Sequence, residues 1–100
     1  MIFLSFSQNH MTIAKSKQFT KDLTKLSTLE KKIEKTLSLF EENTNHPSLH
    51  NKHIVCKKAD NLYSIRVNDS YRILYFKMES YSLIDRCLSH SKYDRLTKNC

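Results

Sequence analysis

The hydrophobic period changes halfway along the chain, and this change restricts the possible folds more than any other feature. Before Pro47, apolar residues recur every three or four positions, as in amphipathic helices. After Pro47, apolar and polar residues alternate in short runs rich in Val, Ile and Tyr, as in β-strands. A helical part followed by a stranded part within 100 residues predicts one α+β domain.

The first half predicts a short strand over residues 12–18 and two helices in a hairpin over residues 20–42. Ser27, followed three positions later by Glu30, has the form of a capping box at the start of the second helix. Pro47 ends the helical part because proline cannot continue a helix. The apolar face of the second helix consists of four residues at helical spacing: Leu29, Ile33, Leu37 and Phe40.

The second half predicts a meander of four strands. Their short links favour antiparallel pairing. Residues 89–100 are polar and are expected to be a strand end and a frayed tail. The predicted order is therefore β-α-α-β-β-β-β, with the N-terminal strand and helix hairpin packed on one face of a mainly antiparallel sheet and the other face free. Residues 11–100 form the domain, and residues 1–10 form an extension that is disordered or adds a strand. The four predicted strands are 52–57, 62–67, 71–78 and 81–88.

An excess of basic residues narrows the classes of partner. The chain carries 17 Lys and Arg against 10 Asp and Glu, a formal net charge of +7, and it contains no Gly. Phosphate loops that need glycine for close backbone approach are therefore excluded. No apolar run reaches the roughly 18 residues of a transmembrane helix. Nucleic acid, an anionic membrane surface and an acidic protein stay open as partners.

Arg72 is the strongest candidate for a functional residue because it lies inside an apolar strand. A charged side chain there is costly unless it reaches a groove or a partner. The turn at 68–70 brings Arg66 onto the neighbouring strand, close to Arg72. Two adjacent guanidinium groups favour an anion, and the planar fork of each fits phosphate. The alternative is that each arginine pairs with a local acid such as Asp69 or Asp85.

A second group of candidates follows the last predicted strand, where His90, Lys92 and Tyr93 lie within four positions. RNA cleavage needs a base for the 2′-hydroxyl, a cation for the developing charge and an acid for the leaving oxygen. An imidazole, an ammonium and a phenol suit these roles. Tyr93 lies outside the strands, where it can stack on a base. The alternative is a polar tail that contains a histidine by chance.

The segment HPSLHNKH provides a further cationic cluster around Lys52 and His53 at the mouth of a groove. No Cys or acidic ligand is near it in the sequence, so no metal site is predicted. The three cysteines, Cys56, Cys87 and Cys100, form neither a CxxC nor a zinc-ligand pattern. They are expected to be reduced thiols in a cytosolic protein.

Taken together, these features resemble the RelE/ParE superfamily of bacterial type II toxin–antitoxin toxins. The resemblance covers about residues 12–95. It rests on the Lys/Glu-rich helix hairpin, the HPSL segment followed by Lys52, and the block LYSIRVNDSYRILY at 62–75. The ending SHSKYDRL at 89–96 is similar to the His-x-x-Tyr-Asp endings of toxins of the HigB kind.

The resemblance implies a cytoplasmic mRNA endonuclease that cuts codons in the ribosomal A site without a metal or another cofactor. Its implied partners are the ribosome, mRNA and a cognate antitoxin whose peptide covers the basic groove, with no membrane and no small-molecule cofactor. By position, Arg72 would stabilise the phosphate beside Arg66, while His90 and Tyr93 would supply acid/base and base-stacking groups. The candidate RNA-binding residues are Lys52, His53, Lys92 and Arg95.

Two other functions stay open within the same fold. One is a ParE-like toxin that inhibits DNA gyrase, although such toxins lack the catalytic set, so His90 and Tyr93 argue against it. The other is a degenerate, non-catalytic binding module.

Overall fold

A computed structural model describes residues 11–100, so the predicted extension over residues 1–10 lies outside the described residues. Five strands form one sheet: β1 (Ile13–Lys15), β2 (Lys52–His53), β3 (Leu62–Arg66), β4 (Tyr71–Lys77) and β5 (Ser82–Ser89). Their spatial order is β1-β5-β4-β3-β2. The β1 strand runs parallel to β5 and every other pair is antiparallel. The predicted α+β fold with a mainly antiparallel sheet is confirmed.

Within residues 11–100, three α-helices accompany the sheet: α1 (Lys17–Lys25), α2 (Glu30–Glu42) and α3 (His90–Lys98). The first two confirm the predicted hairpin. The α1 helix begins where the Ser16 hydroxyl accepts a hydrogen bond from the Phe19 amide at 3.0 Å. The capping box predicted at Ser27 is wrong, because Ser27–Leu29 forms a turn of 3₁₀ helix and no side chain caps α2.

The main core lies between the helix hairpin and one face of the sheet. Phe19 of α1 and Phe40 of α2 are fully buried there, against Ile73 of the central strand β4. Alternation along β4 places Tyr75 on this face as well, and its ring meets that of Phe40 edge to face at 4.8 Å. The opposite face of β4 therefore carries Arg72, Leu74 and Phe76, as predicted.

A second core covers part of this opposite face. Of the prediction for residues 89–100, the strand end is confirmed at Ser89, but the frayed tail is wrong. The tail forms α3, whose start is capped by the Ser89 hydroxyl. Tyr93 is the buried residue of the helix, and it packs with Leu74 and Leu88 of the sheet. One buried aromatic residue thus anchors an otherwise polar helix to the face that was expected to be free.

A disulfide bond joins Cys56 to Cys100 across a sequence separation of 44. The expectation of three reduced thiols is therefore wrong for these two residues. They meet because α3 carries the end of the chain back over the sheet to the loop after β2. That loop also shortens the strand predicted at 52–57, which ends at His53 and is followed by a turn closed by a bridge between Cys56 and Ala59.

Cys87 is buried and free, and we expect it to resist alkylation in the folded protein. Burial, and secondarily the Asp22 carboxylate, raise the pKa of its thiol from 9.0 to about 12. At about pH 8 the reactive thiolate is then roughly a thousandfold rarer than in an ordinary thiol.

Iodoacetamide labelling followed by mass spectrometry measures this. We expect no adduct in the native protein and one adduct, at Cys87, after denaturation without reductant. Rapid labelling of native Cys87 would contradict its burial, and labelling of Cys56 or Cys100 without reductant would contradict the disulfide.

Candidate functional site

The β3–β4 hairpin places two arginines side by side. Arg66 and Arg72 are direct partners in the register of the strands, so their Cβ atoms lie about 5 Å apart. Arg72 is also opposite Leu88 of β5, a member of the second core, so both guanidinium groups lie on the sheet face that α3 covers in part. The predicted proximity of the two arginines is confirmed.

The two arginines differ in their partners. Arg66 forms an ion pair with the exposed Asp69, as the alternative interpretation held. Arg72 instead donates to two backbone carbonyls, those of Asn68 at 2.5 Å and Tyr71 at 3.1 Å. It forms no ion pair with any residue from 11 to 100. Its orientation is therefore fixed while its charge stays available to an anion.

His90 lies at the junction of β5 and α3, next to the arginine pair. Its amide donates to the carbonyl of Ser70 at 2.7 Å, which ties the start of α3 to the β3–β4 turn. The imidazole is 52% exposed, and its Nε2 lies 3.2 Å from a carboxylate oxygen of Asp94. An exposed imidazole is suited to proton transfer, and the adjacent Asp94 carboxylate can orient the ring.

Tyr93 occupies a different position from the one expected. The side chain is buried, with 8% of the residue exposed, and its hydroxyl lies 3.0 Å from the hydroxyl of Ser64 in β3. Base stacking does not fit this placement, because the ring is buried among the residues of the second core. The contact with Ser64 instead fixes α3 against the sheet, and the His90 ring lies 6.3 Å from that of Tyr93.

The four candidate RNA-binding residues do not form one cluster. Lys52 is opposite Ser64 and lines a hollow of about 280 Å³ with Tyr93 and Asp94, on the same side of α3 as His90. The His53 ring packs against Tyr63, 4.9 Å between centroids. Two of the candidates, Lys92 and Arg95, line a separate hollow on the other flank of α3.

Asp22 is a structural determinant that the sequence prediction missed. Its carboxylate is buried and accepts hydrogen bonds from Arg86 at 2.9 and 3.2 Å and from the Cys87 amide at 2.9 Å. The hydrogen bonding of its guanidinium group to Asp22 raises the pKa of Arg86. By accepting from the Cys87 amide, the carboxylate gives the backbone of β5 a hydrogen-bond partner three residues before His90. An acid within the helical stripe between Phe19 and Leu26 was the available signal.

Replacing Asp22 with asparagine is expected to lower the free energy of unfolding by about 2 kcal/mol, because two charge-assisted hydrogen bonds to Arg86 are lost or weakened. Urea denaturation measures the change. Asp60→Asn, at an exposed position, is the matched control and should change stability little. Equal urea midpoints for the two variants would show that the contacts of Asp22 with β5 do not stabilise the fold.

The described residues contain neither a metal-ligand cluster nor a membrane-spanning helix. Between residues 11 and 100, no group of three or more His, Cys, Asp or Glu side chains could hold a metal ion. In the same range, no helix is both long and apolar enough to cross a membrane. The expectation of metal-free chemistry stays a prediction.

Comparison with known proteins adds a family and a fold. A family model described as a ParE-like toxin domain matches residues 27–95. The YafQ toxin from the Escherichia coli DinJ–YafQ toxin–antitoxin complex is similar in fold, with a TM-score of 0.67 and 16% identity over 83% of this chain and 96% of that one. A metal-bound toxin from Helicobacter pylori has a TM-score of 0.65 and 25% identity, over 82% of this chain and 97% of that one. YoeB from Staphylococcus aureus has a TM-score of 0.57 and 21% identity, over 81% of this chain and 98% of that one. A comparison with curated protein sequences gave no significant match.

Proposed function

Because the chain belongs to the ParE-like toxin domain family, within the RelE/ParE superfamily of toxin–antitoxin toxins, we propose that it is an mRNA endonuclease that cuts codons in the ribosomal A site. The observation that carries the proposal is the placement of an unneutralised Arg72 and an exposed His90 at the same end of the sheet. RNA phosphate is the anion that suits such a pair.

In the proposed mechanism, Arg72 binds the non-bridging oxygens of the scissile phosphate and stabilises the charge that develops on them. His90 takes the proton of the 2′-hydroxyl as that oxygen attacks phosphorus. The bond from phosphorus to the 5′ oxygen breaks, and the leaving oxygen takes a proton from water. The products are a 2′,3′-cyclic phosphate and a 5′-hydroxyl end. The Asp94 carboxylate, 3.2 Å from Nε2, orients the imidazole.

The other predicted residues act around this centre. Arg66 adds positive charge beside Arg72, although its pairing with Asp69 reduces what it offers. Tyr93 is a positioning residue that holds α3, and with it His90, against Ser64. Lys52 contacts the RNA backbone on the His90 side of the helix.

We propose a cognate antitoxin, the ribosome and mRNA as partners in the cytoplasm. The YafQ relative was crystallised in a toxin–antitoxin complex with DinJ, which supports an antitoxin for this chain. An acidic antitoxin segment would bind the same arginine pair as RNA phosphate and so block it.

Inhibition of DNA gyrase is the second candidate, because the matching family model is the ParE-like one. It needs no acid/base residue, so it does not use His90. A non-catalytic member of the fold is the third.

Induced expression in a bacterial host, compared between wild type and Arg72→Ala, tests the proposal. We expect wild type to arrest growth and Arg72→Ala to relieve the arrest, whereas Lys31→Ala, a charge-matched change on the exposed face of α2, should arrest growth like wild type. In a parallel assay, we expect the wild-type protein to leave DNA supercoiling by gyrase unchanged. Inhibition of supercoiling without loss of mRNA would favour the second candidate, and no arrest would favour the third.

A chelator of transition metals, which leaves ribosomal Mg²⁺ in place, separates metal-free cleavage from metal-dependent cleavage. We expect the purified toxin to cut ribosome-bound mRNA equally with and without the chelator, because the proposed proton transfers use His90 and water and need no metal ion. Loss of cleavage on chelation, restored by adding metal, would contradict the metal-free mechanism.

A further inference from the structure

A cleft of about 330 Å³ lies between the C-terminal end of α1 and the N-terminal end of α3. Its volume falls in the usual range for small-molecule sites, roughly 300–1,000 Å³. Lys25 approaches from α1 and Lys92 from α3, while Tyr71 and Ser89 line the wall formed by the sheet. Neither Lys25 nor Tyr71 has a role in the proposed cleavage step.

The cleft is positively charged because its acid is already neutralised. Asp22 is the one acidic residue in the lining, and its carboxylate accepts three hydrogen bonds from Arg86 and the Cys87 amide. Lys25 and Lys92 form no ion pair with any residue of the described chain. The start of α3, capped by Ser89, adds the positive end of the helix dipole. A negatively charged ligand therefore has two free ammonium groups available.

The cleft adjoins the proposed cleavage site. Tyr71 precedes Arg72 in β4 and is opposite Ser89 in the register. Because neighbouring residues of a strand face opposite sides, Tyr71 faces the cleft while Arg72 faces α3. Ser89 and Lys92 lie on either side of His90 in the sequence. An RNA strand bound at Arg72 can thus pass around the end of the sheet and enter the cleft with its next nucleotide.

We infer that this cleft binds a nucleotide of the RNA adjacent to the cleaved phosphodiester, with its phosphate between Lys25 and Lys92 and its sugar or base against Tyr71. The inference rests on the proposed RNA substrate and extends it by one nucleotide. Lysine ammonium groups supply charge without base specificity, so the site contributes affinity and sets the path of the RNA.

The test compares two double variants that have equal charge and change the same two helices. Lys25→Gln with Lys92→Gln removes both cleft ammonium groups. Lys21→Gln with Lys98→Gln removes one lysine from each of α1 and α3 outside the cleft. The probe is a short single-stranded RNA with 2′-O-methyl groups throughout, which prevents cleavage, and binding is measured by fluorescence anisotropy at several salt concentrations.

We expect the cleft variant to bind about tenfold more weakly at low salt and the control variant to bind within about twofold of wild type. In a plot of the logarithm of the association constant against the logarithm of the salt concentration, the magnitude of the slope should fall by about 0.7 for each phosphate contact that the cleft variant loses. Equal losses in both variants, no loss in either, or no binding by wild type at low salt would each overturn the inference.

Cleavage of ribosome-bound mRNA by wild type is measured in parallel, so that the two proposals fail separately. Cleavage by wild type with oligomer binding that does not depend on Lys25 and Lys92 overturns the cleft and leaves the endonuclease proposal standing. Binding that depends on these two lysines, without cleavage by wild type, supports the cleft as an RNA site and overturns the endonuclease proposal.

Discussion

Replacing His90 with asparagine is expected to slow mRNA cleavage by about 10²–10⁴-fold, the usual contribution of a general acid or base. The exposed imidazole lies at the same end of the sheet as the arginine pair, and asparagine cannot take the 2′-hydroxyl proton. Folding should be little affected, because the side chain is half exposed and its bond to Ser70 uses the backbone amide. Single-turnover cleavage of mRNA on purified ribosomes measures the effect.

His50→Asn is the matched control. His50 is exposed, lies outside the proposed site and has a φ of 47°, a conformation that asparagine tolerates better than most residues. This variant should cleave at the wild-type rate. If His90→Asn kept more than about a tenth of wild-type activity, His90 would not be the general base.

Removing the disulfide between Cys56 and Cys100 is expected to lower the free energy of unfolding by about 4 kcal/mol, since a loop closed across 44 positions strongly restricts the unfolded chain. The bond also holds the end of α3 near the β2–β3 loop. The double variant Cys56→Ser with Cys100→Ser should unfold at a lower urea concentration than wild type.

Unfolding both proteins with and without reductant controls for effects of the serine substitutions themselves. Adding reductant should destabilise wild type by a similar amount and leave the double variant unchanged. Cys87 should contribute nothing to the difference, because it is free in both proteins. A wild-type midpoint insensitive to a reductant that is shown to have opened the bond would contradict the expected stabilisation.

The predicted helix hairpin and meander depended on local periodicity, and this explains why they agree with the structure. Apolar residues at helical spacing form the face of α2 that is buried against the sheet, and alternation in β4 separates Arg72 from Ile73 as expected. The proximity of Arg66 and Arg72 also follows from local information, because a short turn fixes the register of a hairpin.

The errors concern features that depend on distant parts of the chain. The α3 helix is polar except for a few residues, so periodicity alone gave little sign of it. Its stability comes from a tyrosine that meets Ser64, 29 positions away, and from a disulfide to Cys56. The role of Asp22 likewise depends on Arg86 across the molecule, 64 positions away. The same long-range burial removes Tyr93 from base stacking.

The capping box at Ser27 shows that a local pattern can also be overruled. The residues have the required spacing, but the chain forms a 3₁₀ turn between α1 and α2, so the serine is not placed to cap α2. The α-helices α1 and α3 have side-chain caps, at Ser16 and Ser89, where each helix follows directly from a strand.

The most direct test of the proposed function is to map the 5′ ends of a defined mRNA after incubation of the purified protein with ribosomes that hold a chosen codon in the A site. The proposed function predicts new 5′-hydroxyl ends within that codon, formed by wild type and absent with His90→Asn or without ribosomes. Intact mRNA after incubation with wild type, or cleavage that His90→Asn performs equally well, would contradict it.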